Sequence, residues 1–141
     1  MGNRAIITTK SREIGIYLHW NGGIDSITAF LKYCELRKFR GFPDEYGIAR
    51  LTQIIANYFG GDLSIGITTT PESYRCDNGI YIVEGWNIVE HLQHTPFGND
   101  LVSYGYEQHE GYDLLEMLID IDNSQPENDR LGENKIKAAI S

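Results

Sequence analysis

Residues 16–26 carry the sequence IYLHWNGGIDS and predict a strand, a tight turn and the start of a helix. Gly22 and Gly23 have no Cβ, so we expect one of them to adopt a positive φ. Asp25 or Ser26 is expected to cap the helix that follows. The N–H groups and dipole of a helix start can hold an anion, but the same turn also joins a strand to a helix without any ligand.

Hydrophobic periodicity extends this pattern to the rest of the chain. It predicts strands over 4–9, 14–20, 63–68 and 80–91, the last interrupted at Gly85, and a short strand over 101–106. Helices are predicted over 25–40, 44–60 and 112–121. Hairpins dominate, and only the crossover through the first two helices joins strands that could be parallel.

This element order predicts an α+β fold with an antiparallel or mixed sheet, two hairpins, and two to three helices packed on one face. Residues 1–122 are expected to form a single domain. Residues 123–141 are polar and acidic, which predicts a loosely ordered C-terminal tail, with one more helical turn over 135–140.

The charge of the chain is concentrated near its C-terminus. The 141 residues carry a net charge of −8, and residues 107–141 alone hold 3 Lys/Arg against 9 Asp/Glu. Such a surface repels nucleic acid and anionic membranes, so neither is expected as a direct partner. It fits a basic partner, although an acidic surface can also serve only to keep a small protein in solution.

The composition also restricts which cellular compartment and which cofactors we expect. No apolar run is long enough to span a bilayer and no signal-like segment opens the chain, so a cytoplasmic location is expected. Cys34 and Cys76 lack a paired spacing and are expected to be reduced. His91, His94 and His109 do not supply a convincing ligand set, so no metal and no cofactor are predicted.

The segment Asn21-Gly22-Gly23-Ile24-Asp25-Ser26 resembles the Ser-Gly-Gly-x-Asp-Ser loop of the ATP pyrophosphatase (PP-loop) family. The resemblance implies phosphate contacts from Gly22, Gly23, Asp25 and Ser26. The chain departs from the family at Asn21, which replaces serine, and in its hairpins, where the family has a parallel sheet. With the adjoining aromatic rings, the candidate ligand site comprises His19, Trp20, Asn21, Gly22, Gly23, Asp25 and Ser26.

A wider resemblance involves the N-terminal MGNRAII, residues 16–23, 27–31 and the DNGIY turn at 77–81. These segments look like a family of small uncharacterised proteins of phages and other mobile elements. That resemblance implies a mobile-element context, in which small acidic inhibitors of host defence, including anti-CRISPR proteins, are common. It implies no catalytic residue, and no nucleophile or acid/base pair in the chain favours an enzyme.

A second candidate surface combines tyrosines with carboxylates near the C-terminus. Asp113, Glu116 and Asp120 have the spacing of one helix face, opposite Leu114, Leu115, Leu118 and Ile119. The candidate partner-binding residues are Tyr104, Tyr106, Glu107, Glu110, Tyr112, Asp113, Glu116 and Asp120.

Two functional hypotheses follow. The first is a non-catalytic protein of a phage or mobile element that inhibits a host protein by meeting its basic surface with this acidic, Tyr-rich surface, which can imitate a phosphate backbone. The alternative is a nucleotide-binding or nucleotide-sequestering protein that uses residues 19–26. The acidic surface can also be a solvated helix face, and the sequence leaves a homodimer open.

Overall fold

The fold was taken from a computed structural model, which describes residues 2–96, 98, 100–103 and 113–141. The strands are β1 (Ala5–Thr8), β2 (Gly15–Leu18), β3 (Ile65–Thr68), β4 (Ile80–Glu84), β5 (Asn87–His94) and β6 (Leu101–Ser103). The helices are α1 (Ile24–Leu36), α2 (Glu45–Tyr58), α3 (Leu114–Asn123) and α4 (Glu133–Ile140).

The described strands form one mixed sheet in the order β3-β2-β1-β4-β5-β6. β1 and β4 are parallel, and the other neighbours are antiparallel. The predicted α+β fold with a mixed sheet is confirmed. The parallel pair is not the one that the sequence indicated, because the crossover through α1 and α2 connects β2 to an antiparallel β3.

The helices pack on one face of the sheet. Successive side chains along each strand point to opposite faces, so the strands contribute to two apolar clusters. Ile7 of β1, Leu18 of β2 and Tyr81 of β4 are buried on this face, together with Phe30 and Cys34 of α1. The opposite face carries a smaller apolar cluster formed by Ile6, Ile80, Ile82 and Leu92. Two-sided burial explains the almost continuous apolar runs in β1 and β4.

The segment 80–91, predicted as one strand interrupted at Gly85, is the larger part of a β-hairpin. β4 ends at Glu84, β5 begins at Asn87, and these two residues pair across the turn. Gly85 adopts a φ of +62°, a conformation that residues with a Cβ rarely take. A glycine interpreted as a bend within a strand is therefore the turn that reverses the chain.

The C-terminal segment differs from the loosely ordered tail predicted for 123–141. α4 packs against α3, and Ile136 is fully buried in the main core. Asp122, itself buried, accepts hydrogen bonds from the backbone N–H groups of Leu131 and Gly132 at 2.8 and 2.9 Å. One apolar anchor and one buried carboxylate thus hold a polar segment in place.

None of the helices in the described ranges is both long and apolar enough to cross a membrane. The two cysteines are free thiols, as expected.

Candidate functional site

The turn between β2 and α1 has a different geometry from the one predicted. Asn21, not a glycine, has the positive φ, at +57°, while Gly23 has a φ of −70°. Asparagine tolerates the left-handed region better than most residues with a Cβ. The expectation of a positive φ at Gly22 or Gly23 is therefore wrong.

Gly22 is required by a close approach to β1. A Cβ on this residue would lie 2.5 Å from the backbone oxygen of Asn3 and 2.8 Å from the Cβ of Ala5. The N–H of Gly22 donates to that Asn3 oxygen at 2.7 Å, and its carbonyl accepts from the Tyr81 hydroxyl at 2.8 Å. The backbone of Gly22 thus serves packing within the fold.

The helix start also lacks the predicted side-chain cap. Gly23 is the N-cap residue of α1, and Asp25 lies in the first turn. Ser26 is fully buried, and its Oγ accepts a 3.2 Å hydrogen bond from Nδ2 of Asn21. A buried hydroxyl engaged by its own loop is badly placed to contact a phosphate.

The cations beside β1 and β2, the strands that lead to this loop, are engaged by carboxylates. Arg4 is paired with Asp77 at 3.0 Å, and Lys10 with Glu84 at 2.8 Å. Arg12 contacts both Glu72 and Glu90. These ion pairs and the backbone bonds of Gly22 disfavour a phosphate cradle in the loop, because an anion would have to compete with them.

Beside the turn lies a groove that brings the two candidate sites together. Its volume is about 420 Å³. Trp20, which is 41% exposed, and Asp120 of α3 both line it. Trp20 belongs to the first candidate site and Asp120 to the second. The lining residues are Trp20, Asn21, Tyr58, Phe59, Asp62, Asp120 and Ser124.

The groove combines aromatic rings with carboxylates. Asp62 and Asp120 are both exposed, and among the described residues that line the groove there is no Lys or Arg. We name this feature the acidic groove. Carboxylates beside an exposed indole are suited to a guanidinium or ammonium group, through charge pairing and cation–π contact.

His19 supports the groove without lining it. Its ring makes an edge contact with Trp20, with centroids 4.7 Å apart. Its Nδ1 is 2.8 Å from the Tyr17 hydroxyl, which fixes the orientation of the imidazole. Tyr58 and Phe59, at the end of α2, pack with ring centroids 6.1 Å apart on the groove wall.

The acidic face of α3 is present as predicted. Asp113, Glu116 and Asp120 are all exposed. On the opposite side Leu118 is buried, while Leu114, Leu115 and Ile119 are half-buried, and the core also receives Met117 and Ile121. Asp113 has a further structural role, because its side chain caps α3 by accepting from the N–H of Glu116 at 2.7 Å. The remaining predicted partner-binding residues, Tyr104, Tyr106, Glu107, Glu110 and Tyr112, lie outside the described residues.

Among the described residues, the other reactive side chains do not converge on a site. In the part of the chain that the structure describes, no three His, Cys, Asp or Glu side chains are grouped to hold a metal ion. The His91 and His94 rings lie against different carbonyls, those of Asn78 and Glu72. Burial raises the pKa of Cys34 and that of Cys76, the latter to about 11, which makes both poor nucleophiles.

Sequence reasoning did not identify Tyr58, Phe59, Asp62 and Ser124. These residues end α2, follow it, or end α3, and nothing in their local pattern indicates that they meet Trp20. Comparison with known proteins adds no further guide, since no protein family, curated protein or solved structure matches the chain.

Proposed function

We propose that the protein is a non-catalytic binding protein whose acidic groove and α3 face engage a basic surface on a host protein. The observation that supports this most is the position of Asp120. It is the last carboxylate of the exposed row on α3 and also a wall of the groove that contains Trp20. A charged helix face therefore leads into a pocket lined with aromatic rings.

This combination fits how protein surfaces bind one another. An exposed row of one charge raises the rate of association with an oppositely charged partner. An aromatic pocket supplies a central anchor, and tryptophan is among the residues that contribute most to interfaces. A lysine or arginine of the partner inserted between Trp20 and the two carboxylates would use both features.

The proposed partner is a nucleic-acid-binding host protein. Proteins of that class carry basic surfaces to neutralise phosphates, and an acidic helix face can occupy the same surface. The sequence resemblance to small phage and mobile-element proteins supports a defence protein of the host as the target, with a CRISPR effector as one such class. Inhibition would follow from competition with the nucleic acid.

The alternative, nucleotide binding by the glycine loop, is less well supported. The groove beside Trp20 has room for a base, but Asp62 and Asp120 would repel the attached phosphates.

The groove can be tested with an oligoarginine peptide, an oligoglutamate peptide of equal length, and ATP. Binding is followed by tryptophan fluorescence and by calorimetry. We expect oligoarginine to bind, with an affinity that falls as salt rises, and the other two to leave the signal and the melting temperature unchanged.

Two variants and one control locate the binding. Trp20→Ala and Asp120→Asn should each weaken oligoarginine binding by roughly 3- to 30-fold, the range that cation–π contacts and paired charges cover. Glu13→Gln removes an exposed carboxylate at the other end of β2 and should have no effect. Equal losses in Asp120→Asn and Glu13→Gln, with no loss in Trp20→Ala, would mean that the peptide responds only to net charge, and ATP binding would favour the alternative function.

A further inference from the structure

β3 is one edge of the sheet and displays exposed apolar side chains. Leu63, just before the strand, is 97% exposed and Ile67 is 52% exposed. Ile65 and Ile67 pair with Leu18 and Ile16 of β2, which places them on the helix-bearing face. Leu63 lies two residues before Ile65, outside the strand, and adds another exposed apolar side chain to this segment.

Among the described residues, one side of the β3 backbone has no paired strand. The N–H of His19 donates to the carbonyl of Ser64 at 2.9 Å. Because hydrogen-bonding direction alternates along an antiparallel strand, Ser64, Gly66 and Thr68 direct their backbone groups toward β2. Ile65 and Ile67 therefore direct theirs away from the sheet, and within the described residues β2 is the one strand paired with β3.

In the described residues, the segment 63–70 carries none of the sequence features that usually prevent pairing between chains. Residues 63–70 contain no ionisable side chain, and β3 contains no proline, lysine or bulge. In a chain with a net charge of −8, two copies repel one another over most of their surface. An uncharged strand edge is where a second copy can approach.

We propose that β3 forms the interface of a symmetric homodimer, in which two copies of β3 pair antiparallel about a two-fold axis at Gly66. In this register Ile65 of each copy is opposite Ile67 of the other. Both residues present outward backbone groups, so each such pair exchanges two hydrogen bonds. The four isoleucines lie side by side on the helix-bearing face, and the two sheets become one.

Gly66 fits the centre of this arrangement. It lies in a non-hydrogen-bonded pair with its own copy, where Cα atoms approach to about 4.5 Å. A Cβ on Gly66 would meet no atom within 4 Å in the single chain, so the strand can accept a side chain there.

The oligomeric state provides the first test, measured by light scattering after size-exclusion chromatography. The wild-type chain should have about twice the monomer mass of 16.0 kDa. Ile67→Lys should be monomeric, since it places like charges across the axis, whereas Val89→Lys, at a 48% exposed position on β5, should remain dimeric. Circular dichroism confirms that the variants fold. A monomeric wild type, or a dimeric Ile67→Lys, would overturn the proposal.

A cysteine pair tests the register in a Cys76→Ser background. Gly66→Cys should form a disulfide-linked dimer on oxidation, because the distance across the axis suits a disulfide. Ser64→Cys is the control: it lies opposite Thr68 of the other copy, so the two new cysteines are separated by about 13 Å along the strands. Failure of Gly66→Cys to cross-link, or equal cross-linking of both variants, would contradict this register.

Discussion

The hydroxyl of Tyr33 donates a 2.6 Å hydrogen bond to Oδ1 of Asp122, which lies 89 residues further along the chain. Both side chains are buried: Tyr33 is fully buried and Asp122 is 2% exposed. The carboxylate also accepts hydrogen bonds from the backbone N–H groups of Leu131 and Gly132. One buried acid thereby joins α1, α3 and the segment that leads into α4.

Removing either partner of this bond should lower stability. Tyr33→Phe leaves a buried acceptor short of a donor and should reduce the free energy of unfolding by about 1–3 kcal/mol. Asp122→Ala removes the acceptor for three groups and should cost more, with faster hydrogen exchange over 131–140. Urea unfolding and exchange measure these effects. Asp129→Ala, at an exposed position, serves as control, and a loss equal to that of Asp122→Ala would contradict this role.

Gly22→Ala should destabilise the fold by about 1–3 kcal/mol, because its Cβ would press against the Asn3 carbonyl, an atom fixed in the backbone. The matched control is Gly66→Ala, where the Cβ has open space. Thermal unfolding of both variants compares the two sites. If Gly22→Ala unfolds at the wild-type temperature, the close approach of β1 does not explain this glycine.

Much of the fold could be predicted from local patterns. The apolar stripes of α1 and α2 and the alternation in β2 follow from sequence spacing alone. The hairpin at Gly85 was harder, since a glycine inside an apolar run can be a bulge or a complete turn, and the pairing of Glu84 with Asn87 decides which. A helical turn was predicted over 135–140, but the packing of α4 on the core was missed, because its polar sequence is held by Ile136 and by Asp122, a contact between distant positions.

The acidic groove shows a different limit. Trp20 and Asp120 were each identified, but as members of separate sites, because only tertiary packing brings α3 to the end of β2. Likewise, the motif at Gly22 was interpreted from its glycines, whereas the distance to Asn3 explains the residue. Local sequence therefore indicated which residues are unusual, and packing determines what they do.

The ion pair between Arg4 and Asp77 should contribute to stability above acidic pH. Its hydrogen bonds hold the pKa of Asp77 below the usual value. A carboxyl with a lowered folded-state pKa stabilises the fold above its unfolded pKa, near 3.9, and this contribution is lost as pH falls through the folded-state pKa. Asp77→Asn should therefore lower the melting temperature at neutral pH and less so in acid. A constant difference between the two proteins over the whole pH range would contradict this linkage.

The acidic face of α3 is expected to bind the host partner by charge. Glu116→Lys with Asp120→Lys reverses two exposed charges and leaves Asp113 in place, because Asp113 caps the helix. The double variant should fold as the wild type does, yet fail to retain the proposed host partner, which immobilised wild type is expected to capture from a lysate. Wild-type binding should weaken as salt rises, since the contact is between exposed charges.

Glu13→Gln, on the turn between β1 and β2, should capture the same protein as the wild type. If the double variant retains that protein with the same affinity and salt dependence, α3 is not the interface, and its charges serve only to keep the chain in solution.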